Sequence, residues 1–326
     1  MKQINWGIIG CGDVTEVKSG PAFNKVKNSS LIAVMRRNAE KAKDYARRHH
    51  VPKWYADAAS LINDPEVNAI YVATPPSSHE EYAMAALGAG KPVYLEKPMS
   101  VSAVSAVNIA NAAKEKNIKL AVAHYRRMQP LYKKIKQLVI EKAIGDLRFA
   151  RLELYKKPAS KEYLTMPHTA WRVDTAIAGG GLFNDLAPHQ LDMMYYFFGE
   201  IDRSCGIAAN QARLYNADDI VAGNILFKTG IVFNGIWCFS VDEKDEKDNC
   251  EIVGSNGKIS FSFFEHRPVI LTINGKTESF SFEPLQHVQQ PMIEKVVEYF
   301  LDEAPNPCSG DEGAIVMQLI DRFTEK

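Results

Sequence analysis

Gly7-Ile8-Ile9-Gly10-Cys11-Gly12-Asp13-Val14-Thr15 decides the fold. It ends a short apolar run, Ile4–Ile9, in a turn whose bare positions Gly10 and Gly12 match the first two glycines of a dinucleotide-binding fingerprint. Glycine is needed in such a turn because the backbone must bend sharply and approach a pyrophosphate closely. Thr15 stands where the third glycine is expected, so context has to support the motif. A second apolar run, Leu31–Met35, falls where a βαβ unit would place its next strand.

The alternation continues outward from that turn. Helical runs at 41–50, 57–63, 80–87 and 103–116 separate strand-like runs at 69–73, 92–95 and 119–123. Strands alternating with helices predict a doubly wound parallel sheet, an α/β Rossmann domain over residues 1–123. Ligands in such sheets sit beyond the carboxyl ends of the strands. The breaks Gly10–Gly12, Arg36–Arg37, Thr74–His79 and Glu96–Pro98 all fall at those ends. NAD enzymes usually carry an acid after the second strand for the ribose hydroxyls; Arg36-Arg37 instead suit a 2′-phosphate, so NADP is favoured over NAD. The plainer alternative is that both arginines only cap a strand end in solvent.

With 326 residues the chain is expected to hold two domains. Lysine plus arginine equal aspartate plus glutamate at 39 each, which argues against nucleic acid or a charged membrane surface as partner. No apolar run approaches the length of a membrane span, and Met1–Trp6 lead directly into a strand-like segment, so no signal peptide is expected. The five cysteines show no CxxC spacing, which fits reduced thiols in a cytoplasmic protein and supplies no zinc site.

Residues 124–326 are assigned to a second, substrate-binding and oligomerisation domain. Its centre is Gly179-Gly180-Gly181-Leu182-Phe183-Asn184-Asp185-Leu186-Ala187-Pro188-His189-Gln190-Leu191-Asp192, with a helix expected to start or kink near Ala187 because of Pro188. Asp185, His189 and Asp192 would share one helical face, and a carboxylate beside an imidazole can form an acid/base pair. A capped helix with a satisfied histidine, or a partial metal site, is the bland alternative. Arg126 or Arg127 at the domain join could hold a substrate, although an ion pair is the ordinary fate of such residues. The segment Lys156–Val173 reads as a long loop in which Trp171 offers a face to a sugar ring and Arg172 a hydrogen-bonding fork. Further strands alternate to Phe282, and Asp242–Asp248 reads as a solvated hairpin tip. Successive hairpins imply an antiparallel sheet, whose face needs helices or a second subunit; a homo-oligomer, dimer or tetramer, is therefore expected.

Leu95-Glu96-Lys97-Pro98, following Gly7-x-x-Gly10-x-Gly12 and Thr74-Pro75-Pro76-x-x-His79, together with the Gly179–Asp192 stretch, resembles the glucose–fructose oxidoreductase and inositol 2-dehydrogenase (Gfo/Idh/MocA) family. The resemblance implies a Rossmann domain followed by an α/β domain with a large open, mostly antiparallel sheet. It implies hydride transfer between nicotinamide and a hydroxyl- or carbonyl-bearing carbon of a sugar, cyclitol or related polyol, an oxidoreductase acting on CH–OH groups. By this resemblance Lys97, Asp185 and His189 are catalytic, and Lys97–Pro98 is a cis peptide. The candidate cofactor wall is Gly10, Cys11, Gly12, Asp13, Val14, Arg36, Arg37, Thr74, Pro75, Pro76, His79, Glu96 and Lys97, with Arg36 a departure from the acid that NAD-using members often carry. Substrate would meet Lys97, Arg126, Trp171, Arg172, Asp185 and His189, and no metal is required. A dihydrodiol or other non-sugar carbonyl substrate, and a non-catalytic nucleotide sensor, remain as alternatives.

Overall fold

The computed structural model describes residues 2–325. They form two compact units: residues up to Arg126 with Leu285–Met317, and Arg127–Pro284 with the residues from Gln318 onward. The expected boundary after 123 falls near the first crossing, but assigning everything beyond it to the second domain is corrected by the return of Leu285–Met317 to the first unit.

The first unit holds strands β1 (Ile4–Ile9), β2 (Ser29–Met35), β3 (Lys53–Tyr55), β4 (Ala69–Val72), β5 (Val93–Leu95) and β6 (Leu120–Val122). Their order is β3-β2-β1-β4-β5-β6 and every pairing is parallel. The order reverses between β1 and β4, the switch point at which such sheets take ligands. Burial on both faces explains the unbroken apolar runs: all four residues of β4 are fully buried. The three-residue edge strand β3 was not anticipated, being too short to carry a period. Helices Ala39–Arg48, Ala58–Asn63 and Ala103–Glu115 start at Asn38, Asp57 and Ser102, whose side chains accept the N–H of Lys41, Ser60 and Ser105.

The returning segment brings helix Gln290–Phe300, whose buried stripe is Met292, Ile293, Val296, Val297 and Phe300. Phe300 lies 5.6 Å from the ring of Trp6, and the Cys308 carbonyl accepts the Val122 N–H at 2.9 Å. This stripe covers apolar surface that the parallel sheet cannot bury by itself.

The second unit carries β7 (Leu147–Tyr155), β8 (Ile201–Ala209), β9 (Ile220–Phe227), β10 (Val232–Cys238), β11 (Lys247–Gly254), β12 (Gly257–Phe261), β13 (Val269–Ile273) and β14 (Lys276–Phe280). The order is β14-β13-β12-β11-β7-β10-β9-β8; only β7 and β10 run parallel, and the other pairs are antiparallel. Residues 242–248 are therefore no hairpin tip, because β7 separates β10 from β11. Asp248 is 2% exposed and accepts the N–H groups of Phe263, Phe264 and Glu265 at 3.0, 2.5 and 2.8 Å.

One face of this sheet packs on helix Gly181–Phe198 through Phe183 and Trp237, centroids 5.1 Å apart, and through the Trp237 indole N–H donating to Gln190 Oε1 at 2.6 Å. The helix starts at Gly181 and continues through Pro188, which overturns one of the two expectations, a start near Ala187. An interior proline costs roughly 3 kcal/mol; burial of most of the helix, Pro188 included, offsets it. At the chain's far end Phe323 presses on Gly223, where any Cβ would meet its ring at 2.1 Å. The opposite sheet face carries Ile207 at 74% exposure, and Phe149 beside its cross-strand neighbour Val232 at 41% and 44%. No helix of the described residues is long and apolar enough to cross a membrane.

Candidate active site

In the first unit the sequence-predicted residues collect at the carboxyl ends of β1, β2, β4 and β5. Gly10 has φ +95°, and a Cβ there would meet Thr74 Cγ2 at 2.7 Å, so the turn and the Thr74 segment are in contact. A Cβ on Gly12 would meet only the Gly10 carbonyl oxygen at 3.9 Å, which leaves open space over that backbone. The fingerprint's missing third glycine is explained locally. Thr15 is fully buried, donates to the Gly12 carbonyl at 2.8 Å, and accepts the Tyr45 hydroxyl on its own carbonyl at 2.8 Å. Cys11 contributes backbone rather than thiol: its side chain is buried, and burial pushes the thiol up to about 11. Asp13 is exposed and Val14 half-buried at the start of the short helix Asp13–Val17.

Arg36 folds across the turn and donates to the Cys11 carbonyl at 3.3 Å, while Arg37 is exposed. Thr74 Oγ1 is buried with no hydrogen-bond partner, and Pro75 and Pro76 lead into helix His79–Gly88. These features fit a dinucleotide: open backbone over Gly12, an orphaned hydroxyl at Thr74, and a guanidinium at the β2 end.

His79 is fully buried rather than lining an open wall. Its Nδ1 is 2.9 Å from the Pro98 carbonyl and its Nε2 2.7 Å from the Thr74 carbonyl; a neutral ring carries one N–H and so donates to one of these two carbonyls. Burial pulls its pKa down to about 4, against the opposing pull of those carbonyls. The Lys97–Pro98 peptide is cis, as the resemblance implied. Glu96 is 5% exposed; it accepts the Tyr71 hydroxyl and Gln289 Nε2, each at 2.5 Å on Oε1, and the Lys97 N–H at 3.0 Å on Oε2. Arg126, whose guanidinium carbon is 5.8 Å from the Tyr125 ring, ends the first segment of this unit.

In the second unit Asp185 and His189 lie four residues apart on helix Gly181–Phe198 and so share a face. Arg172 Nε is 3.4 Å from Asp185 Oδ2, and the guanidinium stacks on Trp171 at 4.6 Å. The Trp171 indole and Arg172 Nη1 both donate to the His168 carbonyl, at 3.1 and 2.7 Å. The loop that positions them is not wholly irregular, containing helix Lys161–Thr165 and the 3-10 turn Ala170–Val173. His189 is 6% exposed, with its ring 6.0 Å from Phe264. Asp192 faces a different partner, since the fully buried Arg127 claims it. Sequence reasoning missed Tyr71, Tyr94 and Gln289. The two tyrosines look like strand core, and nothing around Gln289 marks it.

A parallel dinucleotide sheet joined to a unit with an open sheet, bearing these two residue groups, defines a two-domain nicotinamide-dependent oxidoreductase. Residues 4–124 match the oxidoreductase family, NAD-binding Rossmann fold, and residues 132–260 match the GFO/IDH/MocA C-terminal domain. The chain belongs to the Gfo/Idh/MocA oxidoreductase family. It is similar to Oxidoreductase P35 of Formosa agariphila, 46% identical over 98% of both chains. Trans-1,2-dihydrobenzene-1,2-diol dehydrogenase of Xenopus tropicalis is 24% identical over 88% of this chain and 83% of that one. Levoglucosan dehydrogenase in complex with NADH has the same fold, with a TM-score of 0.89 at 22% identity over 99% of this chain and 96% of the other.

Proposed function

We propose that this chain transfers hydride between NADP, in preference to NAD, and the hydroxyl- or carbonyl-bearing carbon of a sugar, cyclitol or related polyol. The observation that carries this reading is the presence of Lys97 on the rim after β5 and of Asp185 and His189 on one helical face. A bound nicotinamide would supply the hydride donor or acceptor. Gly10, Gly12, Thr74 and Arg36 would hold the dinucleotide, with Arg36 toward the ribose of the adenosine half.

In this reading His189 takes the hydroxyl proton during oxidation and returns it during reduction, since an imidazole can act as either base or acid. Lys97 donates a hydrogen bond to the reacting oxygen and stabilises the charge developing there. Asp185 steadies the imidazole, and Arg172 with Trp171 presents a fork and an apolar face to a polyhydroxylated ring. Levoglucosan dehydrogenase, among the structural relatives, favours a sugar. The named dihydrodiol dehydrogenase favours the second reading, a non-sugar diol. The exposed patch at Ile207, Phe149 and Val232 supports a homo-oligomer that covers the open sheet face.

The test is nicotinamide absorbance over a panel of polyols, diols and their carbonyls, with Lys97→Ala alongside. Turnover on a polyol that falls roughly 100-fold or more in the variant, with cofactor binding retained, is expected. Undiminished turnover would sink the assignment of Lys97. Binding of cofactor with no turnover across the panel would leave the chain a nucleotide sensor.

A further inference from the structure

Gln289 has the features of a residue held for a purpose. It is fully buried, and both ends of its amide are used: Nε2 donates to Glu96 Oε1 at 2.5 Å, and Oε1 accepts the Tyr94 hydroxyl at 3.0 Å. The same Glu96 oxygen takes the Tyr71 hydroxyl, and its other oxygen takes the Lys97 N–H at 3.0 Å. A carboxylate this buried is tolerable only when hydrogen-bonded throughout, and a half-satisfied buried network is worse than an apolar one. Burial, reinforced by the Glu96 charge, lifts the Tyr71 hydroxyl well above its ordinary range, which keeps it a donor.

The backbone and neighbours of Gln289 are fastened to the same unit. Gln289 N donates to the Lys18 carbonyl at 3.2 Å, just past the helix that follows the glycine turn. His287, 6% exposed, sets Nδ1 2.6 Å from the Val17 carbonyl and Nε2 2.7 Å from Lys25 Nζ. An ammonium has only donors, so Lys25 donates to Nε2 and the ring proton sits on Nδ1, donating to Val17. Gln286 accepts a second bond from Lys25 at 3.0 Å. The strap Gln286–Gln289 thus grips both the end of the dinucleotide-turn helix and the carboxylate beside Lys97.

We infer that Gln289 is a positioning residue for Lys97, acting through Glu96, and that the strap Gln286–Gln289 sets the spacing between the dinucleotide turn and that lysine. This rests on the role proposed above for Lys97. An amide is the right group because it donates to Glu96 while accepting from Tyr94. Leucine keeps the volume and loses both bonds. Glutamate brings a second carboxylate against Glu96, and such a pair must share a proton. The protonated acid can donate as Gln289 does; its ionised form cannot.

The experiment compares wild type, Gln289→Leu, Gln289→Glu and the milder Tyr94→Phe at temperatures well below each melting point. It reads turnover with pH, cofactor dissociation constants, and amide exchange of the peptide spanning Tyr94–Met99. Gln289→Leu should lower kcat about tenfold or more, change the cofactor constant less than about threefold, and speed exchange of the Lys97 amide about tenfold. Gln289→Glu should approach wild-type kcat at acid pH and lose about tenfold as pH rises through the shared ionisation. Wild-type pH profiles and unchanged Lys97 exchange, with only the melting temperature lowered, would overturn the inference. If Gln289→Leu does not fold, Tyr94→Phe and Gln289→Glu decide the matter by the same readouts. A wild type that turns over nothing on the substrate panel would defeat the reading of Lys97 as catalytic. Lys97 amide exchange would then still decide whether Gln289 holds the loop.

Discussion

Arg127 Nη2 lies 2.7 Å from Asp192 Oδ1, and Arg127 Nε lies 3.0 and 3.1 Å from the two carboxylate oxygens. The side chains are 2% and 1% exposed, and the guanidinium also sits 5.3 Å from the centre of the Tyr196 ring. The pair fixes the start of the second unit to the helix that bears Asp185 and His189. Removing one partner strands a buried charge, at a cost of roughly 3–5 kcal/mol. Arg127→Leu and Asp192→Leu should each be strongly destabilised in denaturant unfolding, while the double variant recovers much of the loss. Simple additivity of the two losses would show that the ions are not coupled.

The proposed preference for NADP rests on Arg36, whose guanidinium donates to the Cys11 carbonyl at the dinucleotide turn. Arg36→Asp should weaken NADPH binding by about 10- to 100-fold and leave NADH within a few-fold, because the new carboxylate repels a 2′-phosphate. Fluorescence titration measures both constants. Tighter NADH than NADPH binding in the wild type would reverse the preference proposed for this chain.

His79 makes a pH prediction with a definite sign. Burial lowers its native pKa to about 4 from an ordinary value of 6.5, so between those values the unfolded chain binds a proton that the native protein refuses. Its stabilising contribution is full above 6.5 and is lost as pH falls through about 4, amounting to about 3 kcal/mol at most. His79→Gln should be less stable than wild type at neutral pH, and its melting temperature should fall less steeply on acidification over that window. Parallel curves for the two proteins would contradict a buried neutral imidazole.

Asn184 is fully buried, and neither polar atom of its side chain has a hydrogen-bond partner. Pro188, four residues on, has no N–H to offer the Asn184 carbonyl either. Leaving an amide unsatisfied costs about 1–3 kcal/mol, so Asn184→Leu should raise the melting temperature. Destabilisation instead, measured calorimetrically, would mean that a bound water or ligand group satisfies the amide.

The Rossmann half was legible because its evidence is local: apolar runs of strand length, caps before helices, and polar breaks on one rim. Lys97, Asp185 and His189 stand out as candidates through motif and resemblance together. What escaped depends on partners distant in sequence. The stripe Met292–Phe300 announces a buried helix face but not which surface it covers, so the return to the first unit was missed. The charges of 242–248 look solvated, and only the strand order puts β7 between its neighbours and buries Asp248. Pro188 reads as a helix start until Phe183, Gln190 and Trp237 are seen to hold the turns around it. His79 shares a motif with the cofactor wall, yet its ring is buried between the Pro98 and Thr74 carbonyls.

The contact between Gln289 and Glu96 joins residues 193 positions apart. At about 5–20 residues per second, a ribosome needs roughly 10–40 s to travel that distance. The nucleotide-binding sheet is therefore made early and finished late. Until helix Gln290–Phe300 emerges, the flank of Trp6 that Phe300 will cover stands open to water and to other nascent chains. Growing chains should meet their greatest aggregation hazard in that interval, and a chaperone that shields apolar surface would be most useful there.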